Sequence, residues 1–353
     1  MKKLNVFFIG AIFILALVSC KNTKKNGEND RDTVELSGAG ATFPLPFYHV
    51  IFENFSTKKG DVVAYGGIGS GGGVRNLRDG IVDFAATDAF LTEEELAEMP
   101  PVIHIPTCMG AVVLAYHLPE IPELNLSGDV IADIFSGKIN RWNDTRIQDL
   151  NKNISLPDAE IIPVFRSDGS GTTYVFTDYL SKVSDDWRNT YGVSKSVSFP
   201  KGQAAKGNPG VAGVISQTPY SIGYVGSEYA FAQKIPYANL LNSNGELVKP
   251  TPESISVAAS GEIPADTRTS ITNSSAKGAY PISCFTWILI YKEQAYSRRS
   301  EEQAQATLDL LHYILSQEAQ QITSEVHYAP LPQKAIELSL HNLKQVTFDG
   351  KPL

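Results

Sequence analysis

The chain has 353 residues, 42% of them hydrophobic and 19% charged, which is enough apolar material for two cores and too much for a disordered polymer. Its 30 Lys and Arg against 38 Asp and Glu give a net charge of −8, and no window carries a basic stripe, which excludes nucleic acid as an expected partner. Any anion ligand must be held by local geometry rather than by the field of the whole molecule.

Residues 1–20 open with Met1-Lys2-Lys3, run apolar from Leu4 to Val18 apart from Asn5 and Gly10, and end in Leu17-Val18-Ser19-Cys20. A basic start and a short apolar core read as a secretory signal, too short to span a bilayer comfortably. The ending resembles a bacterial lipobox, in which the Cys20 thiol takes a diacylglycerol thioether and becomes the mature N-terminus. Loss of Lys2 and Lys3 with the signal brings the charge to −10. Residues 21–32 contain no hydrophobic side chain, so burial cannot offset their ordering entropy, and they are expected to form a flexible tether. The folded part starts near Thr33. No second long apolar run follows, so the expected attachment is a lipid anchor on the membrane surface, not a span.

From there strands are expected at 34–36, 61–65, 82–86, 109–117, 160–165 and 222–225, and helices at 44–57, 74–79, 92–97, 127–135 and 172–183. This alternation marks an α/β fold with mostly parallel strands. The clearest helical pattern is 301–324, where Leu308, Leu311, Leu315, Ala319 and Ile322 recur three or four apart as one amphipathic face. No 20–50-residue unit repeats, which excludes a solenoid. Cys108 and Cys284 sit in apolar, strand-like surroundings and read as buried free thiols, although an exported protein could form a disulfide. The histidines at 49, 104, 117, 312, 327 and 341 are scattered singly, so no metal site is expected.

Three small-residue loops carry the chemistry. They are Ser37-Gly38-Ala39-Gly40-Ala41-Thr42-Phe43-Pro44, the run from Gly66 to Gly73 containing Ser70, and Arg166-Ser167-Asp168-Gly169-Ser170-Gly171-Thr172-Thr173. Each precedes a plausible helix start and offers hydroxyl and backbone N–H groups suited to an anion. Any one of them alone is explained by capping and turn formation. Two follow strands, at the carboxyl ends where open α/β sheets bind ligands, so convergence on one anion is physically natural.

The motifs AGATFP at 39–44, GIGS at 67–70, DFAATDA at 83–89, DGSGT at 168–172, GNPGV at 207–211, the segment 129–144 and IGYV at 222–225 resemble, in order, the periplasmic phosphate-binding protein of the bacterial ABC-type phosphate uptake system. The resemblance covers nearly the whole mature chain. It implies an α/β, two-lobed periplasmic binding protein fold (type II-like), with discontinuous lobes, 33–107 plus 285–353 and 108–284, joined by crossover strands. Cys108 and Cys284 would then fall on the two crossings. The resemblance also implies inorganic phosphate as the ligand, held by Thr42, Phe43, Ser70, Asp88, Arg166, Ser170, Gly171 and Thr172, with Asp168 bracing Arg166. It implies no cofactor and no catalysis. The expected partners are an inner-membrane phosphate permease with its ATPase subunits and, through Cys20, the lipid membrane, and the chain is expected to be a monomer. The chain departs from the pattern at Gly71, where Ser is common, and at Phe165, where a basic residue occurs. Neither departure removes an expected ligand group, and the flank of the site is expected to carry less positive potential as a result.

Asp88 is the informative member. A buried carboxylate facing an anion is repulsive unless the ligand brings a proton for it to accept, which phosphate does at neutral pH and sulfate does not. A protonated oxyanion such as arsenate fits the same logic. Two enzyme readings compete for these residues. The G-x-G-x-x-G at 67–72 with Asp88 about twenty residues on would suit a dinucleotide, but the intervening helix is short. Ser70 or Ser170 could be a nucleophile, but Ile68 and Asp168 stand where G-x-S-x-G needs glycine.

Overall fold

In the computed structural model, which describes residues 33–353, the chain enters β1 (Glu35–Gly40) two residues after Thr33, followed by α1 (Leu45–Lys59), β2 (Val62–Gly67), α2 (Ser70–Arg78), β3 (Phe84–Thr87), α3 (Glu93–Ala97) and the long β4 (Val102–Tyr116). The middle of the chain supplies β5 (Asn125–Leu126), α4 (Gly128–Phe135), α5 (Thr145–Leu150), β6 (Ile162–Arg166), α6 (Gly171–Val183), α7 (Asp185–Thr190), β7 (Gln203–Ala205), α8 (Gly207–Gln217), β8 (Ser221–Gly226) and α9 (Ser227–Ala232). After β9 (Asn239–Leu241), β10 (Leu247–Val248) and α10 (Pro252–Ala258), the chain returns through β11 (Ser283–Tyr291). It ends in α11 (Glu301–Ile314), α12 (Gln317–Glu325), α13 (Gln333–Leu343), β12 (Thr347–Phe348) and β13 (Lys351–Pro352). The signal, Cys20 and the tether lie outside the described residues. Among the described residues no helix is long and apolar enough to cross a membrane.

Eight strands run in the order β2-β1-β3-β11-β4-β8-β6-β7. The pairs β1/β2, β1/β3, β6/β8 and β6/β7 are parallel, as α/β crossovers require. Where the crossing strands enter, at β3/β11, β11/β4 and β4/β8, the pairing is antiparallel. β4 joins the two lobes: Val102–Ala111 pairs with β11 on one side of the molecule, and Val112–Tyr116 pairs with β8 on the other.

Several expected boundaries move, each for a local physical reason. Ser37–Gly40 belongs to β1 rather than to a loop, because small residues let it pack closely. A Cβ on Gly38 would lie 2.2 Å from the Phe84 ring, and one on Gly40, at φ 149°, 2.0 Å from the Ala86 carbonyl oxygen. The helix expected at 74–79 starts at Ser70 and runs through three glycines, against their propensity. Gly73 explains this, since a Cβ there would lie 2.5 Å from both the Ala39 carbonyl oxygen and the Gly40 Cα. The single helix expected at 301–324 is two, because Ser316 caps α12 by accepting from the Ala319 N–H at 3.3 Å. β4 begins seven residues before the expected 109. Pro106 hides that start in the sequence, and it sits at a register shift opposite Thr286/Trp287, where a strand tolerates a missing donor.

The helices bury one face. Phe47, Tyr48, Ile51, Phe52 and Phe55 of α1 are all in the core, and Gly60, at φ 79°, closes the helix by donating its N–H to the Ser56 carbonyl. Cys108 lies opposite Thr286 and Cys284 opposite Gly110, which makes the two cysteines diagonal neighbours across β4 and β11, both buried and free. Burial pushes both thiols well up. The unit Thr33–Leu353 is therefore expected to show no thiol reactive to Ellman's reagent when native and both after denaturation; recovery of neither in denaturant would mean that they are bridged.

Candidate functional site

All three loops follow strands and converge. The turn after β1 carries Thr42 and Phe43 into α1, Ser70 opens α2, and Ser170 caps α6 by accepting from the Thr173 N–H at 3.0 Å. Asp88 follows directly on β3, and Arg166 ends β6. Thr42, Phe43, Ser70, Asp88, Arg166, Ser170 and Thr172 are all buried, with Asp88 at 3% and Arg166 at 6% exposure.

The two lobes meet through these groups. The Gly171 N–H donates to Ser70 Oγ at 3.1 Å, and the Gly71 N–H donates to the Gly169 carbonyl at 2.9 Å. Thr172 Oγ1 donates to Asp88 Oδ2 at 3.4 Å. The approach needs glycine on both sides: a Cβ on Gly69, at φ 88°, would lie 2.3 Å from Asp168 Oδ2, and one on Gly171 would lie 2.5 Å from Ser70 Oγ. Ser70 and Ser170 thus serve backbone N–H groups across and within the cleft, an engagement typical of helix termini rather than of a hydroxyl activated by a base.

Charge is concentrated in three side chains. Arg166 commits Nε and one terminal nitrogen to Asp168, at 2.8 and 2.5 Å, and points the other, Nη1, toward Thr172 Oγ1 at 3.4 Å. Asp168 also accepts from the Gly207 N–H at 3.0 Å. Partial burial opposes ionisation of Asp168, but the Arg166 hydrogen bonds and charge, with Gly207, outweigh it and hold the carboxyl below its ordinary range. Asp88 behaves oppositely. Burial pushes it up to about 7, against the hydrogen bond from Thr286 and the charge of Arg166.

Sequence reasoning missed several residues. Asn208 lies in the GNPGV motif at 207–211, whose pattern alone assigns it no role. Its N–H and Nδ2 donate to Thr42 Oγ1 at 3.0 and 3.1 Å, and Nδ2 also reaches Thr172 Oγ1 at 3.1 Å, while Oδ1 accepts from the Gly226 N–H at 3.0 Å. Thr286 donates to Asp88 Oδ1 at 2.8 Å from beside the β4/β11 register shift, a position no local pattern announces. Lys195 spans the lobes to Glu95 at 2.6 and 2.8 Å, and its carbonyl takes the Ser170 N–H at 2.8 Å.

A cleft built from helix N-termini, hydroxyls, one arginine and one carboxylate suits a small protonated oxyanion. A family model described as a PBP superfamily domain matches residues 26–318. The phosphate-binding protein PstS of Pasteurella multocida is 39% identical over 307 residues, covering 86% of this chain and 88% of that relative. The chain belongs to the PstS family of phosphate-binding proteins. A PstS from Methanocaldococcus jannaschii is 34% identical over 374 residues, covering 98% of this chain and 96% of its own. Among solved structures, a high-affinity periplasmic phosphate-binding protein with phosphate bound aligns with a TM-score of 0.69 at 21% identity, over 86% of this chain and 92% of that one. An ABC-type phosphate transport receptor from Vibrio cholerae aligns at 0.55 and 21%, over 84% and 100%. At these identities the structures speak to the PstS-like two-lobed α/β fold alone.

Proposed function

We propose that this chain captures inorganic phosphate between its lobes and delivers it to an ABC-type importer, acting as a binding protein rather than an enzyme. The observation that carries this reading is the convergence of Thr42, Ser70, Asp88, Arg166 and Thr172 in one buried cluster that pairs one guanidinium with one proton-accepting carboxylate. In the bound state Thr42, Phe43, Ser70, Asp88, Arg166, Ser170, Gly171 and Thr172 would surround the ligand, and Asp168 would steady Arg166. The donors that now meet one another across the cleft would turn to the phosphate oxygens. The lobes would be 33–107 plus 285–353 and 108–284, with closure about the crossing strands presenting a surface to the inner-membrane permease and its ATPase subunits. Export, lipidation at Cys20 and the tether would hold a monomeric binder at the membrane surface.

Calorimetric titration of Thr33–Leu353 with phosphate and with sulfate tests the reading. Phosphate is expected to bind and sulfate not; equal binding, or none, would reject it.

A further inference from the structure

Glu228, in the first turn of α9, is 3% exposed. Its Oε2 accepts weakly from the Ser227 hydroxyl at 3.4 Å, and Oε1 has no hydrogen-bond partner. The carboxyl is folded over Gly226, where a Cβ would lie 2.2 Å from Oε1. The groups that face it are Asp88 after β3, Cys108 on β4, Cys284 on β11, Tyr328 ahead of α13 and Tyr229 beside it. None of these is a cation. Of the neighbouring elements, α8 contributes Asn208, bonded to Gly226, and β8 contributes Tyr224, bonded to Thr173 and to the Arg166 N–H. At the other end of α9, His327 packs on Phe231. A carboxylate here would be a buried charge with no cation facing it, whereas a carboxylic acid would supply a proton in place of that charge.

The flanking tyrosines connect Glu228 to the anion site. The Tyr229 hydroxyl donates to the Thr42 carbonyl, and the Tyr328 hydroxyl donates to the Phe43 carbonyl at 2.5 Å. The Thr42 carbonyl and the Phe43 N–H belong to one peptide unit, so a hydroxyl donating to the carbonyl strengthens the N–H as a donor to an anion. We infer that Glu228 is a protonated positioning residue of the phosphate site, whose neutral carboxyl backs Tyr229 and Tyr328 behind the Thr42–Phe43 turn and whose ionisation weakens phosphate binding. The inference rests on the phosphate reading above. Ionised Glu228 would add a second buried negative charge near Asp88 and compete with the Phe43 carbonyl for the Tyr328 proton. Burial above all, with the Asp88 charge adding to it, already pushes the Glu228 carboxyl up to about 8, against hydrogen bonds from its own backbone N–H and from the Tyr328 hydroxyl. A bound anion pushes it further, so binding in the alkaline range must take up a proton.

The test measures phosphate Kd for the mature chain and for Glu228→Gln from about pH 8 to about pH 9.5, a range in which phosphate stays mostly a monoprotonated dianion. The wild-type Kd is expected to rise by about tenfold relative to that of Glu228→Gln. Parallel profiles from two tight binders would overturn this inference and leave the phosphate reading standing, whereas absence of phosphate binding in both would overturn the two together. A second measurement uses the wild type alone, in case the variant does not fold. Calorimetry at about pH 9 in buffers of different ionisation enthalpy should show net proton uptake on phosphate binding, and none would overturn the inference.

Discussion

Replacing Arg166 with Ala is expected to raise the phosphate Kd by about two orders of magnitude or more, which corresponds to about 3 kcal/mol. The size follows from geometry rather than from charge alone. Arg166 is 6% exposed, and its fork is divided, with two nitrogens held by Asp168 and Nη1 directed at Thr172 in the cleft. Truncation removes the site's guanidinium and leaves Asp168 half-buried without the partner that holds its carboxyl low. It also removes a charge that opposes the upward push on Asp88, so less of Asp88 would be ionised at neutral pH. Arg166→Lys separates charge from shape. An ammonium keeps the positive charge but cannot give Asp168 two parallel bonds and still aim a third donor at the anion, so an intermediate affinity is expected. Calorimetry on both variants, with thermal melts to verify folding, checks this; an alanine variant that binds as tightly as the wild type would show that charge compensation comes from elsewhere.

The sequence made the hydroxyl, glycine and charged members of the cleft legible because their chemistry is local. Ser170 caps the helix that its own segment begins, and Asp168 grips Arg166 from two residues away. The alternation of strands and helices likewise showed the fold class, since hydrophobic period reports on each element separately. Residues whose roles depend on distant packing stayed hidden. Thr286 reaches Asp88 only because β11 lies beside β3 and β4 at a register shift. Asn208 matters because α8 is brought under both Thr42 and Thr172, which are 166 and 36 residues away. The glycine run at 71–73 looks like a loop in the sequence because propensity disfavours helix there, and the close approach of α2 to β1 overrides that preference. Tyr229 and Tyr328 are ordinary core aromatics by composition, and only the fold brings their hydroxyls onto the two carbonyls of the Thr42–Phe43 turn.

Asp88→Asn is expected to reduce discrimination between phosphate and sulfate by about a hundredfold or more, through weaker phosphate binding and the appearance of sulfate binding. Asp88 is fixed on one side by Thr286 at 2.8 Å and faces Thr172 at 3.4 Å on the other, so it cannot swing away from an incoming anion. An ionised carboxylate there can only accept. Phosphate meets it with a hydroxyl, whereas sulfate presents another acceptor and leaves two negative oxygens face to face in a buried site. An amide removes the repulsion and adds N–H donors, which suit a fully ionised tetrahedral anion. The same logic gives the wild type a pH dependence whose sign is fixed. Burial pushes Asp88 up to about 7, so below that pH it carries a proton and becomes a donor, and sulfate should begin to compete as the pH falls through this range. The folded, ligand-free chain also binds this proton over an interval in which an unfolded Asp does not, so Asp88 lowers stability as the pH rises toward about 7, and Asp88→Asn should remove that slope. Competition titrations of phosphate against sulfate at about pH 5 and about pH 8, on wild type and variant, read both effects. Sulfate exclusion that persists in the variant, or that does not vary with pH in the wild type, would place the discrimination in the surrounding N–H groups instead of in Asp88.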